Sequence, residues 1–332
     1  MKRVLLCMAM LATAPPCFAA TPDEARVAIA IHAGAGTVSR ADLDADKERD
    51  IRATLERAVR AGHAKLLQGE PGVEAVRAAV NVLEDSPHFN AGHGSVFNAR
   101  AENELDASVM DGRTLNAGAV AALRRIRNPI DLAIEVMNNS RHVMMIGEGA
   151  ETFAVERGFE LVDPSYFHTD HRLDQLRERQ AKEQAGNAEI EPERWYSTVG
   201  AVVLDANGNL AAGTSTGGLT NKRWGRVGDT PIIGAGNYAA NGGCAVSATG
   251  TGEFFIRFVV AHSICGRVRS GESIEEAAAA LIHEVLKPAG GDGGVIAMDS
   301  QGNIAMPFNT SGMYRASIDR DGQISIGIYD DE

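Results

Sequence analysis

The most constraining feature of the sequence is an abrupt change of composition at Thr198. Residues 168–194 are dense in Arg, Lys, Glu, Asp and Gln, whereas Val199–Leu204 is a continuous apolar run. Such a run is typical of a buried strand, and Asn207-Gly208 directly after it predicts a hairpin turn. We therefore expect a solvated, mobile segment over about 168–197 that meets a buried strand at Thr198.

The remaining chain alternates apolar runs with helical periodicity. The pattern predicts strands at 26–31, 104–109, 117–123, 142–146 and 210–214, and helices at 39–67, 72–83, from Pro129, 148–157, 253–269 and 272–287. Strand pairs and helix pairs follow one another in separate runs rather than in strict βαβ order. This arrangement favours sheets with helices outside them.

Composition and charge exclude several classes of protein. The 332 residues are 44% hydrophobic and carry a net charge of −12. An acidic chain without a basic stripe is a poor candidate for binding nucleic acid or an anionic membrane. Walker A, HExxH and EF-hand patterns are absent from the sequence. We expect a globular protein with neither nucleic acid nor membrane as a partner.

The first 19 residues have the pattern of a secretory signal peptide. Lys2 and Arg3 precede the apolar run 4–14, Pro15-Pro16 interrupts it, and Cys17-Phe18-Ala19 places small residues for cleavage after Ala19. The sequence therefore predicts an exported protein, periplasmic or secreted.

Two cysteines remain after the expected signal peptide is removed. Cys244 and Cys265 can pair in an oxidising compartment, but two cysteines are too few to indicate a disulfide-rich framework. The absence of a CxxC motif gives no indication of a zinc site or a thioredoxin-type site. We expect both to be buried free thiols.

Threonines among glycines carry the chemistry. Gly213–Gly218 and Ala248–Gly252 both contain hydroxyls next to glycines, which allow close approach of a ligand to the backbone. Thr198 has no histidine near it in sequence, and we interpret His32 and His93 as hydrogen-bonded structural residues. A chain break before Thr198 would create an α-amine with a pKa of about 7.7–8.0, able to act as the base for the hydroxyl of the same residue.

These residues resemble a known family. The sequence is similar to the plant-type asparaginases, also called isoaspartyl peptidases, which are N-terminal-nucleophile hydrolases. The resemblance covers nearly all of the expected mature chain except the charged segment. It rests on Thr198-Val199-Gly200-Ala201-Val202, Thr214-Ser215-Thr216-Gly217-Gly218, Asn221-Lys222, Gly225-Arg226-Val227-Gly228-Asp229, Thr249-Gly250-Thr251-Gly252-Glu253, His32-Ala33-Gly34-Ala35-Gly36, Phe89-Asn90-Ala91-Gly92, Glu104-Leu105-Asp106-Ala107 and Gly147-Glu148-Gly149-Ala150.

The resemblance implies an α+β fold, a four-layer αββα sandwich made as one precursor domain. It implies self-cleavage between Ser197 and Thr198, an α subunit of residues 20–197, a β subunit of 198–332, and an (αβ)2 assembly. The activity implied is hydrolysis of the β-amide of L-asparagine and of isoaspartyl dipeptides, with release of L-aspartate. The family usually has Gly where Ser197 stands. A side chain there can restrict strain at the peptide that Thr198 must attack, and the sequence does not settle its effect on the cleavage rate.

The resemblance also implies roles for individual residues. Thr198 would be the nucleophile, Thr216 would orient it, and Thr249 with the Gly250 N–H would form the oxyanion hole. Arg226 would hold the substrate α-carboxylate and Asp229 its α-amine, and Asn90, Thr249, Gly250 and Gly252 would line the pocket. Catalysis would need no cofactor, and a structural sodium ion would bind backbone carbonyls of a loop with Leu83, Glu84, Ser86, Phe89, Ala91 and His93.

Several alternatives stay open on the residues alone. They are a catalytically silent binding protein that never cleaves itself, and a glycosylasparaginase or threonine endopeptidase of the same fold. Arg226 and Asp229, as an amino-acid clamp, favour small substrates over protein chains. L-asparagine and isoaspartyl dipeptides present the same aspartyl half to this clamp, so the sequence does not rank them.

Overall fold

The computed structural model describes residues 27–36, 40, 43–185, 195–196 and 198–332. The expected signal peptide at 1–19 and Ser197 of the expected cleavage site lie outside these residues.

The described chain consists of runs of strands and runs of helices. In order they are β1 (Ala28–Gly36), α1 (Ala45–Leu67), α2 (Gly72–Glu84), β2 (Leu105–Asp111), β3 (Ala117–Leu123), α3 (Pro129–Asn139), β4 (Met144–Ile146), α4 (Gly147–Glu156), a 3-10 turn (Pro164–Phe167), α5 (Asp170–Gln184), β5 (Trp195–Tyr196), β6 (Val199–Leu204), β7 (Leu210–Thr216), β8 (Asn237–Ala239), β9 (Cys244–Gly250), α6 (Gly252–Phe258), α7 (Val260–Arg269), α8 (Ile274–Ala279), a π-helical turn (Ala280–Leu286), β10 (Gly293–Asp299), β11 (Ile304–Ala305), β12 (Gly312–Ile318) and β13 (Ile324–Tyr329).

The strands form two sheets. The first has the order β13-β12-β1-β6-β7-β2-β3-β4, with β5 paired to β1, and the second has the order β11-β10-β9-β8. The pairs β1–β6, β6–β7 and β7–β2 are antiparallel, so β6 lies at the centre of the first sheet. Thr198 immediately precedes this central strand.

Two helical layers cover the outer faces of the sheets. Helices α1, α2 and α3 pack on the first sheet, and α7 and α8 pack on the second. The two inner faces pack against each other through small or slender side chains such as Ala30, Val202, Ala212 and Ala245. This confirms the expected α+β fold with four layers in the order αββα.

Local sequence explains where the first helix begins. The carboxylate of Asp44 accepts a hydrogen bond from Lys47 N at 2.8 Å, which caps α1. The helix therefore starts at Ala45 and not at the expected position after Ser39, a residue outside the described part. The expected single helix over 253–269 is also wrong, because Val259 adopts φ +49° and divides it into α6 and α7.

The expected mobile end of the α subunit is partly wrong. Residues 170–184 of the charged segment form α5, which Thr169 caps by accepting a hydrogen bond from Arg172 N. Arg172 and Leu176 are buried, and Nε of Arg172 donates to Gly94 O at 2.7 Å. One buried arginine thus anchors a helix that its composition predicts to be a solvated, mobile segment. Residues 186–194 of the charged segment lie outside the described part.

The expectation of free thiols is contradicted. Cys244 at the start of β9 and Cys265 in α7 form a disulfide with a Cα–Cα distance of 5.0 Å. Both residues are fully buried where α7 packs on β9. The pairing depends on this long-range packing, which the sequence separation of 21 residues does not reveal. Among the helices that the structure describes, none is long and apolar enough to span a bilayer.

Candidate active site

Two threonine hydroxyls meet at the end of the central strands. The register pairs Val199 with Ser215, so Thr198 comes beside Thr216, the last residue of β7. Their Oγ1 atoms are 3.0 Å apart. Gly218 N donates to Thr216 Oγ1 at 3.1 Å, so the hydroxyl hydrogen of Thr216 can point at Thr198. The arrangement can hold Thr198 Oγ1 in one orientation.

A buried polar chain lies next to this pair, between the two sheets. His32 Nε2 is 2.8 Å from Ser247 Oγ, which is 2.7 Å from Thr214 Oγ1. Burial lowers the pKa of His32 to about 3, and a hydrogen bond with the Thr198 backbone opposes this only in part. His32 is therefore neutral near pH 7 and held by the sheets, which suits a structural residue.

Two charged side chains converge on one glycine. A methyl group at Gly252 would lie 2.8 Å from Asp229 Oδ1 and 2.9 Å from Arg226 Nη2. Asp229 is buried, and its Oδ2 has no hydrogen-bond partner among the described residues. Burial raises the pKa of Asp229 to about 7, while the nearby Arg226 guanidinium opposes that rise. Opposite charges thus face the space beside Gly252, as an amino acid's charged groups require.

Glu253 holds the guanidinium of Arg226. Nε of Arg226 donates to Oε1 of Glu253 at 3.0 Å, and Nη2 donates to Oε2 at 2.9 Å. The Arg226 side chain is 17% exposed and that of Glu253 is 50% exposed. Glu253 stands in the family motif, but sequence reasoning gave it no role, since a glutamate next to a glycine carries no pairing signal.

Thr249 and Gly250 close the second sheet's side of the site. Thr249 lies two residues after Ser247 on β9 and therefore on the face turned toward the first sheet. Its Oγ1 is buried and has no partner within the described part of the chain. Gly250 has φ +147° and pairs with Gly293, where a side chain would strike the backbone at Asp292. A free hydroxyl next to a glycine backbone is what an oxyanion hole requires.

Comparison with known proteins decides the family. A family model described as "Asparaginase" matches residues 25–328. The chain belongs to the asparaginase family. It is 49% identical over 296 residues to an isoaspartyl peptidase of Escherichia coli (strain K12), covering 88% of this chain and 92% of that protein.

Two eukaryotic relatives agree with this assignment. An isoaspartyl peptidase/L-asparaginase of Xenopus laevis is 43% identical over 305 residues, covering 92% of this chain and 96% of the relative. A putative isoaspartyl peptidase/L-asparaginase of Dictyostelium discoideum is 42% identical over 341 residues, covering 91% of this chain and 98% of the relative.

Within this asparaginase-family chain, Asn90 supports the loop that follows Thr216. Its Nδ2 donates to Gly218 O at 2.7 Å, and its Oδ1 accepts from Val96 N at 2.9 Å. Gly217 N also donates to Asn90 O at 3.0 Å. Both ends of the amide are engaged by the protein, so the structure places Asn90 beside the site as a support, and contact with substrate stays a prediction.

The expected sodium loop has a crowded, carbonyl-lined bend. A side chain at Gly94 would lie 2.7 Å from Pro87 O and 3.0 Å from Phe89 O, and one at Gly92 would strike Glu84 O. Both glycines have positive φ, +50° at Gly92 and +101° at Gly94. Only glycine fits this cradle, and carbonyl oxygens suit a hard cation.

Two of the six expected residues, Glu84 and Phe89, thus have carbonyls at this bend, and Glu84 O also accepts a hydrogen bond from His93 N at 2.7 Å. Binding of the ion stays a prediction. The other carbonyls, those of Leu83, Ser86, Ala91 and His93, stay predictions. Over the residues that the structure describes, no cluster of three or more His, Cys, Asp and Glu side chains is arranged to hold a metal ion. The Glu84 carboxylate instead accepts from Ser215 Oγ at 2.6 Å.

Proposed function

We propose that the chain is a self-cleaving threonine amidohydrolase that acts on L-asparagine and isoaspartyl dipeptides and releases L-aspartate. The observation that carries the proposal is the pairing of Thr198 with Thr216 in a site where Arg226 and Asp229 converge on Gly252. The names of the relatives, isoaspartyl peptidase and L-asparaginase, support the same substrates.

Self-cleavage is the first step of the proposed mechanism. The hydroxyl of Thr198 attacks the Ser197 carbonyl, and the peptide C–N bond breaks as an ester C–O bond forms. The proton from the hydroxyl passes to the departing nitrogen, which becomes the α-amine of Thr198. Water then hydrolyses the ester, leaving a carboxylate on Ser197 and a free hydroxyl on Thr198.

Substrate hydrolysis uses the two groups that cleavage creates. The α-amine takes the proton of Thr198 Oγ1, whose oxygen attacks the β-carbonyl of the bound substrate. Thr249 and the Gly250 N–H are proposed to hold the resulting oxyanion. The leaving ammonia or amine takes a proton as its C–N bond breaks, and water releases L-aspartate from the acyl-enzyme. These steps use groups of the chain itself, substrate and water.

The sodium loop has a supporting role in this proposal. Glu84 and Phe89 would hold the ion through their backbone carbonyls, and the ion would supply positive charge that fixes the loop. Because Asn90 lies in this loop and bonds to Gly218, a fixed loop keeps the segment after Thr216 in place.

We also propose export and an (αβ)2 assembly. The pattern of residues 1–19 supports export, and the disulfide between Cys244 and Cys265 is in keeping with an oxidising compartment. The assembly rests on the family resemblance. N-terminal sequencing of the native α subunit should begin near Ala20, and light scattering should give the mass of two αβ pairs; a retained Met1 or an αβ mass would contradict these proposals.

Turnover of a substrate panel tests the proposed activity. Parent, Thr198→Ala and Thr152→Ala proteins are incubated with L-asparagine, β-Asp-Leu and β-Asp-Phe, and released L-aspartate is measured. Thr152 is exposed on α4 and bonds to Glu148 O, which makes it a matched control. We expect release by the parent and the control and none by Thr198→Ala. Cleaved parent protein that releases no L-aspartate from any of the three would refute the activity.

A further inference from the structure

A buried carboxylate stands in line with the two threonines. The register places Asp106 of β2 directly opposite Thr216 of β7, and Thr216 lies beside Thr198. The three residues therefore form a row across three neighbouring strands, about 4.8 Å apart from strand to strand. Asp106 is fully buried at the end of this row. Asp106 has no role in the proposed mechanism.

The backbone around Asp106 is distorted. The register of β2 and β3 shifts between Leu105 and Ala107, so the ladder is irregular at Asp106. Across the shift, Ala122 adopts φ +56°, a costly conformation for a residue with a side chain. Ala122 N donates to Asp106 Oδ1 at 2.8 Å. Irregularities of this kind are common where a sheet aims a side chain into a functional site.

Only one of the two carboxylate oxygens is used. Asp106 Oδ2 is buried without a hydrogen-bond partner in the described part of the chain. Two proposed substrate-site oxygens, Asp229 Oδ2 and Thr249 Oγ1, are in the same condition. A buried polar atom without a partner is costly, which favours a ligand-related role for Asp106 as well.

The charges around Asp106 include Arg226 of the substrate clamp. Burial raises the pKa of Asp106, while Lys222, the Ala122 N–H and Arg226 oppose the rise and Glu104 adds to it. Asp106 in turn contributes to the raised pKa of Asp229. The adjacent strands β3 (Ala117–Leu123) and β7 (Leu210–Thr216) contribute no titratable side chain. Asp106 therefore shares one electrostatic environment with Arg226 and Asp229.

We propose that Asp106 is a specificity-determining residue: with Asp229, its carboxylate supplies the negative charge that selects a substrate with an α-ammonium beside its α-carboxylate. Arg226 and Lys222 place two positive charges near the site, which Glu253 and Glu104 offset only from its edge. Asp106 offsets that charge without touching the reacting atoms. The proposal rests on the proposed function and concerns which substrates that site prefers.

The sign of the effect follows from the charge. Replacing the Asp106 carboxylate by an amide makes the site more positive, so binding of an α-ammonium weakens and binding of a carboxylate alone strengthens. It also removes a repulsion from Asp229, whose pKa falls. The part of the acid limb of kcat/KM for L-asparagine that Asp229 sets should then move to lower pH, while the part set by the Thr198 α-amine stays in place. A purely structural Asp106 would move neither the substrate preference nor this limb.

The test compares two amides that differ only in the α-amine, L-asparagine and succinamate. The enzymes are fully cleaved parent, Asp106→Asn, Asp106→Ser and a matched control, Asp205→Asn; Asp205 is also a buried aspartate but closes the β6–β7 hairpin. In both Asp106 variants the ratio of kcat/KM for L-asparagine to that for succinamate should fall about three- to tenfold, as expected for one charge in a partly solvated site. The control should keep the parent ratio.

If succinamate turnover is too slow to measure, the same ratio is obtained from inhibition constants of L-aspartate and succinate. An unchanged ratio, or equal losses on both substrates with a lower Tm, would overturn the proposal, as would failure of both uncharged variants to fold. Parent protein that is cleaved but does not hydrolyse L-asparagine would instead refute the proposed function.

Discussion

Gly252→Ala is the most direct perturbation of the proposed substrate clamp, Arg226 and Asp229. The new methyl group would lie 2.8 Å from Asp229 Oδ1, 2.9 Å from Arg226 Nη2 and 3.0 Å from Asp229 N. Non-bonded carbon contacts prefer about 3.5 Å or more, so both charged groups must retreat by roughly 0.5–1 Å. Misplacement by about 1 Å costs up to about a hundredfold in rate, so we expect kcat/KM to fall about 10- to 100-fold.

The fold and self-cleavage should survive this change. Gly252 is the first residue of α6 and does not have a positive φ, so alanine suits its backbone. The assay is kcat/KM on L-asparagine and β-Asp-Leu for protein that a denaturing gel confirms as cleaved. Gly266→Ala on α7 is the control, because a methyl group there meets no atom within 4 Å. Activity of cleaved Gly252→Ala within about twofold of the control would refute the clamp geometry.

Three further predictions follow from the same contacts. Arg226→Ala should lose about 3 kcal/mol of transition-state stabilisation, about a hundredfold in kcat/KM, with Arg226→Lys recovering only part because it lacks the planar fork; parent-like kinetics would remove Arg226 from the site. Since Asp229 must be ionised to hold an ammonium and has a pKa of about 7, kcat/KM should fall as pH drops through about 7, in addition to the fall caused by protonation of the Thr198 α-amine. In a pH–rate profile, Asp229→Asn should remove the Asp229 part of this fall and leave a single acid limb set by the α-amine. Because burial raises the pKa of Asp229, its contribution to folding stability is lost as pH rises toward about 7. Replacing Cys244 and Cys265 by alanine together should lower the free energy of unfolding by about 3 kcal/mol in a denaturant titration, with self-cleavage retained; unchanged stability would contradict the disulfide.

The part of the site that the sequence predicts is the part governed by local rules. The apolar run after Thr198 and the Asn207-Gly208 turn fix a hairpin, and the hairpin register brings Thr216 beside Thr198. The four-layer fold followed from the family resemblance and from separate runs of strands and helices. Each of these conclusions uses neighbours in sequence or a motif with a known arrangement.

Features that depend on long-range packing were missed. The pairing of Arg226 with Glu253 spans 27 residues, and Asp106 enters the site only because β2 pairs with β7. In the same way, α5 is held by one buried arginine, Arg172, within a segment whose composition indicates solvent. Polar residues carry little information in sequence about their partners, since the same side chains serve on surfaces.

The central claim is that Thr198 becomes the catalytic N-terminal residue through self-cleavage after Ser197. Intact-mass measurement of the purified parent and of Thr198→Ala, made alongside L-asparagine turnover, tests it most directly. We expect two polypeptides for the parent, the smaller spanning Thr198 to Glu332, and one inactive polypeptide for the variant. An active single chain, or a Thr198→Ala protein that is cleaved at the same bond, would contradict it.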